Sequence, residues 1–462
     1  MAKRREADSA RMSRGGIDGT GPTTAEGCGY NMHMFILFMY VWGITKGKRP
    51  CGSVEPVGLD LEVMVTTATG FDPLEFLVQQ NPYPFYKELR QNAPVQYIES
   101  VGAWGVFRYA DVENTFKHPE IFSAKDFTTN AFGEFDPVPE VKSIIATDPP
   151  EHSRIRRLAN AGFRPGAIKA MEPKVDAVVE RLLNNLDSKR AEFDLVSDFA
   201  AYVPVNVTAD LLGVDDPDVR EDFKRWTMDL LKSPSRGVLA QEELDQIRTS
   251  VTELRTYFTE QIEYRRKNPG TDLVSDLVRA EEENHTLTAT EILSLVALMQ
   301  FGGSETPSHL ISSTVYNLFS HPAILDEVRR DPNRALAAVQ ETLRQNSPVQ
   351  MVFQTSTRDV DVAGVTIPAD SMVFAYIASA NHDETVFDEP EKFILDRPNL
   401  NKHLSFATGA HHCIGAPLGR MMCAKAVSGL LTRFPDLQPL ETDPEWMPSY
   451  WVRGLARYRF TA

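Results

Sequence analysis

Cysteine is scarce in this chain: Cys28, Cys51, Cys413 and Cys423 are the only four in 462 residues. That excludes a disulfide framework, which takes an even set of closely spaced cysteines in a short secreted chain. A reducing cytoplasm is the expected setting. Basic charge is also short. Lys and Arg number 48 against 64 Asp and Glu, a formal net charge of −16, so no nucleic-acid partner is expected, because phosphates require a basic patch. No internal repeat is visible, which sets aside solenoids and propellers. Long apolar runs are missing too. Residues 30–44 are apolar except for Asn31 and His33, but they stop short of the roughly 20 residues that cross a bilayer. What is there is an ordinary globular composition, 42% hydrophobic and 24% charged, enough for a large core.

Residues 1–63 differ from the rest. Lys3, Arg4, Arg5, Arg11 and Arg14 make a basic start, a Gly/Thr/Ser-rich run follows, and Lys46, Lys48 and Arg49 come after the apolar stretch. No small-residue cleavage site of a secretory signal is evident. This part reads as a flexible extension outside the core, with membrane association through residues 30–44 as the alternative. Residues 64–462 read as a single catalytic domain.

The chain is organised around Phe406-Ala-Thr-Gly-Ala-His-His-Cys-Ile-Gly-Ala-Pro-Leu-Gly-Arg420. Cys413 lies between Gly409 and Gly415 and opens a helical pattern that runs to about Leu431. A sulfur at a helix start meets free N–H groups and the positive end of the helix dipole, both favouring thiolate. Glycines let the backbone pass close to a flat partner, and His411 and Arg420 add donors nearby. Taken alone, the stretch fits two chemistries. One is a small buried hydrophobe, the usual role of a lone cysteine; the other is a thiolate held toward a metal. Zinc would require a second, distant ligand pair, and His403, His411, His412 and Cys413 have none.

With these residues in view, the sequence resembles the cytochrome P450 family. Its signature, Phe-x-x-Gly-x-His/Arg-x-Cys-x-Gly, is matched by Phe406, Gly409, His411, Cys413 and Gly415. The resemblance implies haem b with Cys413 as the proximal ligand, a thiolate that favours O–O cleavage.

A second stretch breaks helix rules. Thr288-Ala-Thr-Glu291 is a capping box that starts an apolar helix read as running to about Phe319. That is roughly 30 residues, or about 45 Å at 1.5 Å each. Its middle, Phe301-Gly-Gly-Ser-Glu-Thr-Pro307, holds two glycines that each weaken a helix by about 1 kcal/mol. It also holds a proline that strains the carbonyl of Gly303. The Thr306 hydroxyl can reach the carbonyl of Gly302 or Gly303. Alone, this is either a kinked core helix or an acid beside an alcohol at a gap wide enough for dioxygen. It is similar to the family's acid–alcohol motif, Ala/Gly-Gly-x-Asp/Glu-Thr. The resemblance implies that Glu305 and Thr306 relay protons as the O–O bond breaks. Proline after the threonine departs from the usual pattern.

Weaker signals surround these two. Asp148-Pro-Pro-Glu-His-Ser-Arg-Ile-Arg156 starts a helix with its prolines, and His152 and Arg156, four apart, share a face. They suit either a solvated helix with ion pairs or a pair of carboxylates; the resemblance makes them partners of the haem propionates. Glu341 and Arg344, three apart, would contribute about 0.3–0.5 kcal/mol if exposed. Their likeness to the family's Glu-x-x-Arg, with Arg397 as the later partner, implies a buried structural network behind the haem loop. Residues 166–284 read as nearly all helical, with a loop at 233–237 where family members carry a lid. Residues 82–91 read as a helix, and 95–98 with 103–107 as a hairpin around Gly102. The irregular stretch 121–145 roofs the substrate cavity in the family. Residues 349–353 read as a strand on the substrate side. Where the family commonly has an arginine as a third propionate partner, this chain has Gln354, with Arg358 four residues on. Leu298, Gly302, Val349, Tyr450 and Trp451 are the candidate substrate contacts, and Tyr450 and Trp451 fit a core-closing role equally well.

The resemblance covers residue 72 to the C-terminus. It implies a mainly α fold with a smaller β part (α+β), the cytochrome P450 fold. That is a triangular prism-like helical domain with haem between the oxygen-side helix and the Cys-loop helix. It also implies a monomeric haem-thiolate monooxygenase that uses O2 and electrons from a separate ferredoxin or flavodoxin with its reductase, since no flavin-binding segment follows Arg420. The substrate would be a lipophilic small molecule such as a terpenoid, steroid, fatty acid or polyketide, oxidised at a C–H or C=C bond. The His-x-Cys spelling looks bacterial and soluble. Two alternatives are a peroxygenase using H2O2 directly, against which the retained Glu305 and Thr306 speak, and a non-catalytic haem sensor or carrier.

Overall fold

The computed structural model describes residues 70–189, 192–284 and 287–461; the 1–63 extension and the apolar stretch 30–44 lie outside them. Among the described residues no helix is long and apolar enough to cross a membrane. The longer helices are α1 (Tyr83–Asn92), α2 (Tyr109–Lys117), α3 (Glu151–Ala159), α4 (Pro165–Lys189), α5 (Tyr202–Leu212), α6 (Pro217–Leu230) and α7 (Gln241–Lys267). They continue with α8 (Leu273–Asn284), α9 (Ala289–Gly302), α10 (Glu305–Ser320), α11 (Pro322–Arg330), α12 (Ala335–Gln345) and α13 (Ala416–Arg433).

The strands are short. They are β1 (Val95–Ile98), β2 (Ala103–Val106), β3 (Phe122–Ser123), β4 (Glu192–Asp194), β5 (Val352–Ser356), β6 (Val360–Val362), β7 (Val365–Ile367), β8 (Met372–Ala375), β9 (Gln438–Pro439) and β10 (Arg459–Thr461). One sheet has the order β1-β2-β8-β5-β3, a second β4-β10-β9, and β6 pairs with β7. The β1–β2 hairpin turns at Gly102, whose φ of 63° is the left-handed conformation that glycine adopts freely. The result is the mainly α, smaller β architecture expected.

The expected long oxygen-side helix is two helices. Thr288 and Glu291 cap the first reciprocally: the Glu291 amide donates to Thr288 Oγ1 (3.2 Å) and the Thr288 amide to Glu291 Oε2 (2.8 Å). That helix ends at Gly302, and the next begins at Glu305. The physical reason is where Pro307 falls. It sits in the first turn of α10, where its missing N–H leaves no intrahelical bond unmade. The glycine pair absorbs the change of direction.

Three smaller expectations shift. The strand read at 349–353 begins at Val352, because the preceding residues pair with the C-terminal turn instead. Gln350 N donates to Trp451 O (2.8 Å), Arg453 N to Pro348 O (2.7 Å), and Val349 bridges Val452. The helical reading of 166–284 missed β4, three residues too short for a periodic signal; Phe193 there stacks on Phe460. The loop read at 233–237 is a 3₁₀ turn, Ser233–Val238.

Two apolar bodies position the site. In the helical core, α10, α12 and α13 bury Leu310, Val315, Val339 and Val427 almost completely, each contributing about 1.5–3 kcal/mol. The second is an aromatic cluster with Phe127, Phe132, Phe301, Phe353 and Phe374.

Candidate functional site

Cys413 lies three residues ahead of α13, in a loop fixed at both ends. Its amide donates to Phe406 O (2.9 Å). Gly409 has φ 69°, and a Cβ there would stand 2.5 Å from the carbonyl of Phe116, so the loop touches α2 backbone to backbone. Arg420 lies 4.9 Å over the Phe406 ring. Cys413 is exposed as a residue, and its sulfur is nonetheless hemmed in by protein on the side of the loop. Burial pushes the thiol up, against the amides of Gly415 and Ala416 and the charges of Arg156 and Arg420, which pull it down. Desolvation therefore opposes the pull of the helix start toward thiolate. A metal cation in place of the proton would restore the ionised form.

Beside the sulfur is a cluster of cationic and donor groups. The rings of His152 and His411 are 4.2 Å apart. Burial holds His152 down at about 4, helped by His411 and Arg156, and burial also lowers His411. His411 Nε2 is buried without a hydrogen-bond partner, and Asp148 Oδ1 is 3.9 Å away. Arg156 Nε donates to Asn160 Oδ1 (2.9 Å), and its guanidinium feels Cys413. Two suppressed imidazoles and the half-buried Arg156 guanidinium share one nearby carboxylate, Asp148, which already accepts from Ser123 Oγ and the Ala124 amide; the two carboxylates of haem b would supply the further negative charge. The residues fit the group.

Neither candidate for a third propionate partner contributes a charge here. Gln354 Nε2 donates to Thr115 O and Phe122 O (3.2 Å each), and Arg358 is exposed, near Glu120. Among the described residues there is no group of three or more His, Cys, Asp or Glu that could hold a bare metal ion.

At the break between α9 and α10, Thr306 Oγ1 donates to Gly302 O (3.1 Å) and Thr208 Oγ1 to Gly303 O (3.4 Å). A Cβ on Gly302 would meet nothing within 4 Å, so the break opens on free space. Glu305 Oε1 lies 3.7 Å from His309 Nε2. The two walls adjoin: Cys423 Sγ on α13 contacts Pro307 O at 3.6 Å.

Of the candidate substrate contacts, Tyr450 and Trp451 pack on the aromatic cluster, Trp451 with its ring 5.2 Å from Phe353. Leu298 packs on the helical core instead. Glu341, Arg344 and Arg397 form one buried network. The carboxylate accepts from Arg344 Nε (3.0 Å) and Nη2 (2.8 Å), from Arg397 Nε (3.1 Å) and from the Ile394 amide (3.1 Å). Arg344 also donates to Asn381 O (3.1 Å). Asn381 Oδ1 in turn accepts from the Leu404 amide (2.7 Å) at the start of the Cys413 loop.

Sequence reasoning missed the phenylalanines of the roof, the histidine beside Glu305, and a seam of arginines. Arg236 donates to the carbonyls of Thr129 and Asn130 (3.4 Å each), Arg248 pairs with Glu134 (3.0 Å) and Arg255 with Glu140 (2.7 Å). They tie 233–255 to 129–140. The excess of phenylalanine and acid in 121–145 was the available signal.

A model of the cytochrome P450 family matches residues 78–457. Cytochrome P450 109 of Bacillus spizizenii is 33% identical over 381 residues, 81% of this chain and 90% of that protein. The structure of CYP109Q5 from Chondromyces apiculatus superposes with a TM-score of 0.77 at 32% identity, covering 86% of this chain and 99% of the other. CYP109E1 from Bacillus megaterium in complex with testosterone gives 0.74 at 32% identity, covering 82% and 99%.

Proposed function

The chain belongs to the cytochrome P450 family, a family of haem-thiolate monooxygenases, and from that premise we propose that it oxidises a lipophilic small molecule with electrons from a separate ferredoxin or flavodoxin. The observation that carries this reading is Cys413, an exposed cysteine beside the His152, His411 and Arg156 cluster. Haem b, bound through that thiolate, supplies activation of O2 and insertion of one oxygen atom into a C–H or C=C bond.

The chain's own residues do the rest. Cys413 would ligate the metal, and the loop glycines Gly409 and Gly415 would keep side chains off the macrocycle; Phe406 carries Arg420 over its ring. His152, Arg156 and His411 would receive the propionates, whose negative charge would offset the burial that lowers both imidazoles. Thr306 holds its hydroxyl on the Gly302 carbonyl at the helix break, and Glu305 next to it supplies protons from the inner side. Positioned proton transfer of this kind contributes about 10²–10⁴-fold in rate. The aromatic cluster with Tyr450 and Trp451 forms an apolar roof with few polar groups, which suits a flat, lipophilic molecule; a solved relative is in complex with testosterone, and steroids are the first class to screen. Residues 64–462 act as one catalytic domain, monomeric and cytoplasmic.

Cys413→Ala tests the reading. The reduced, CO-bound protein should lose the thiolate-type Soret maximum or fail to retain haem. An unchanged spectrum would refute the ligand assignment.

A further inference from the structure

His309 presents an unusual combination. Its side chain is 7% exposed, and both ring nitrogens are buried without a hydrogen-bond partner. A buried unpaired nitrogen costs about 1–3 kcal/mol, and native proteins leave few of them without cause. The ring is met closely from one side. A Cβ on Gly454 would lie 2.0 Å from His309 Nδ1 and 2.4 Å from Cγ, so the C-terminal turn is shaped around the imidazole. That turn is itself held, with Met447 N donating to Gly454 O (3.0 Å) and Trp446 bridging Leu455. Within reach of Nε2 is one carboxylate, Glu305 Oε1 at 3.7 Å, one helical turn earlier. The Glu305 side chain is 20% exposed.

We propose that His309 is a positioning residue for Glu305, an inner dock from which the carboxylate swings to serve Thr306 and to which it returns. A rotation of the Glu305 side chain that closes 3.7 Å to hydrogen-bonding distance satisfies the imidazole, and the opposite rotation delivers the acid toward the helix break. The histidine thereby limits the carboxylate to two positions instead of the many open to a free side chain. The proposal rests on the proton-supplying role given to Glu305, and its test separates the two.

The haem-loaded enzyme, labelled with 15N-histidine and held reduced and CO-bound, reports the dock directly. The His309 ring resonances should shift in Glu305→Gln. Unmoved resonances overturn the proposal, whatever Glu305 does in turnover. The second readout is product formed per NADH consumed, with testosterone as the probe. His309→Phe, which keeps the ring volume but not the nitrogens, should lower coupling by roughly tenfold, less than loss of the donor itself, and His309→Asn should restore most of it. Full coupling in His309→Phe alongside impaired coupling in Glu305→Gln overturns the dock alone. Full coupling in Glu305→Gln overturns the relay as well. Should the wild type leave testosterone untouched, the resonances decide by themselves, and CO spectra show that each variant folds and holds haem.

Discussion

Replacing Glu341 by alanine should destabilise the protein far more than breaking a surface ion pair. Glu341 and Arg344 are fully buried and Arg397 is 2% exposed. The carboxylate is the counter-charge for both guanidiniums. Its removal leaves two buried cations without an anion, and breaking a buried pair from one side costs about 3–5 kcal/mol. Unfolding entropy of about 2.1 cal/mol/K per residue gives roughly 0.8 kcal/mol/K for about 400 residues. The expected drop in melting temperature is therefore about 4–6 °C. Scanning calorimetry on haem-loaded protein measures it, with haem retention followed in parallel, because cofactor loss makes the transition more than two-state. Glu341→Gln should fall between, since the amide keeps an acceptor but not the charge. The control is Asp396→Asn, which breaks the exposed Arg334–Asp396 fork (2.8 and 2.7 Å) and should leave the transition unmoved. Equal shifts in the two variants would refute the reasoning, since burial would then not be what gives the network its weight. The Asn381–Leu404 link adds that haem should dissociate faster from Glu341→Ala.

Thr306→Ala should retain haem yet divert reducing equivalents to peroxide, seen as NADH consumed without product; undiminished coupling would remove the hydroxyl from the relay. His403 is held down at about 3 by burial, then by Arg420 and Arg344, and its Nδ1 accepts from the Ser405 amide (3.3 Å). Because the folded protein keeps this ring neutral while the unfolded chain protonates it near 6.5, stability is full above pH 6.5 and falls as pH drops toward 3. Urea midpoints of His403→Gln should decline less between pH 6.5 and 4, and parallel declines would exclude His403 as the cause. Arg236→Ala with Arg255→Ala should speed ligand entry by about threefold in stopped-flow spin-shift traces, with high salt mimicking the pair because exposed ion pairs are screened; salt-insensitive entry would mean that the seam does not govern it.

The legible parts of the sequence are those where residue type dictates backbone. The capping box at Thr288, the Gly409 turn and the Glu341-x-x-Arg344 spacing each announce a geometry that the fold reproduces. Pro307 was visible too, but whether a proline kinks a helix or starts one depends on where the preceding helix stops, and Gly302-Gly303 set that by packing. The helix-start effects on Cys413 are local and readable, whereas the desolvation that opposes them depends on the whole surround. His309 gave no sequence signal. Its meaning comes from Gly454, remote in sequence, leaving a space the size of its ring.

The contact of Cys423 with the Pro307 carbonyl has a wider consequence. It braces the helix behind the ligand loop against the helix that carries the acid and alcohol, inside a core with no give. The roof, by contrast, is stitched by solvent-facing arginines. The two sides of the fold are therefore held by different chemistry, solvent-facing ion pairs that salt screens on one and a close-packed apolar contact on the other. Substitutions among those surface arginines leave the spacing between α10 and α13 untouched.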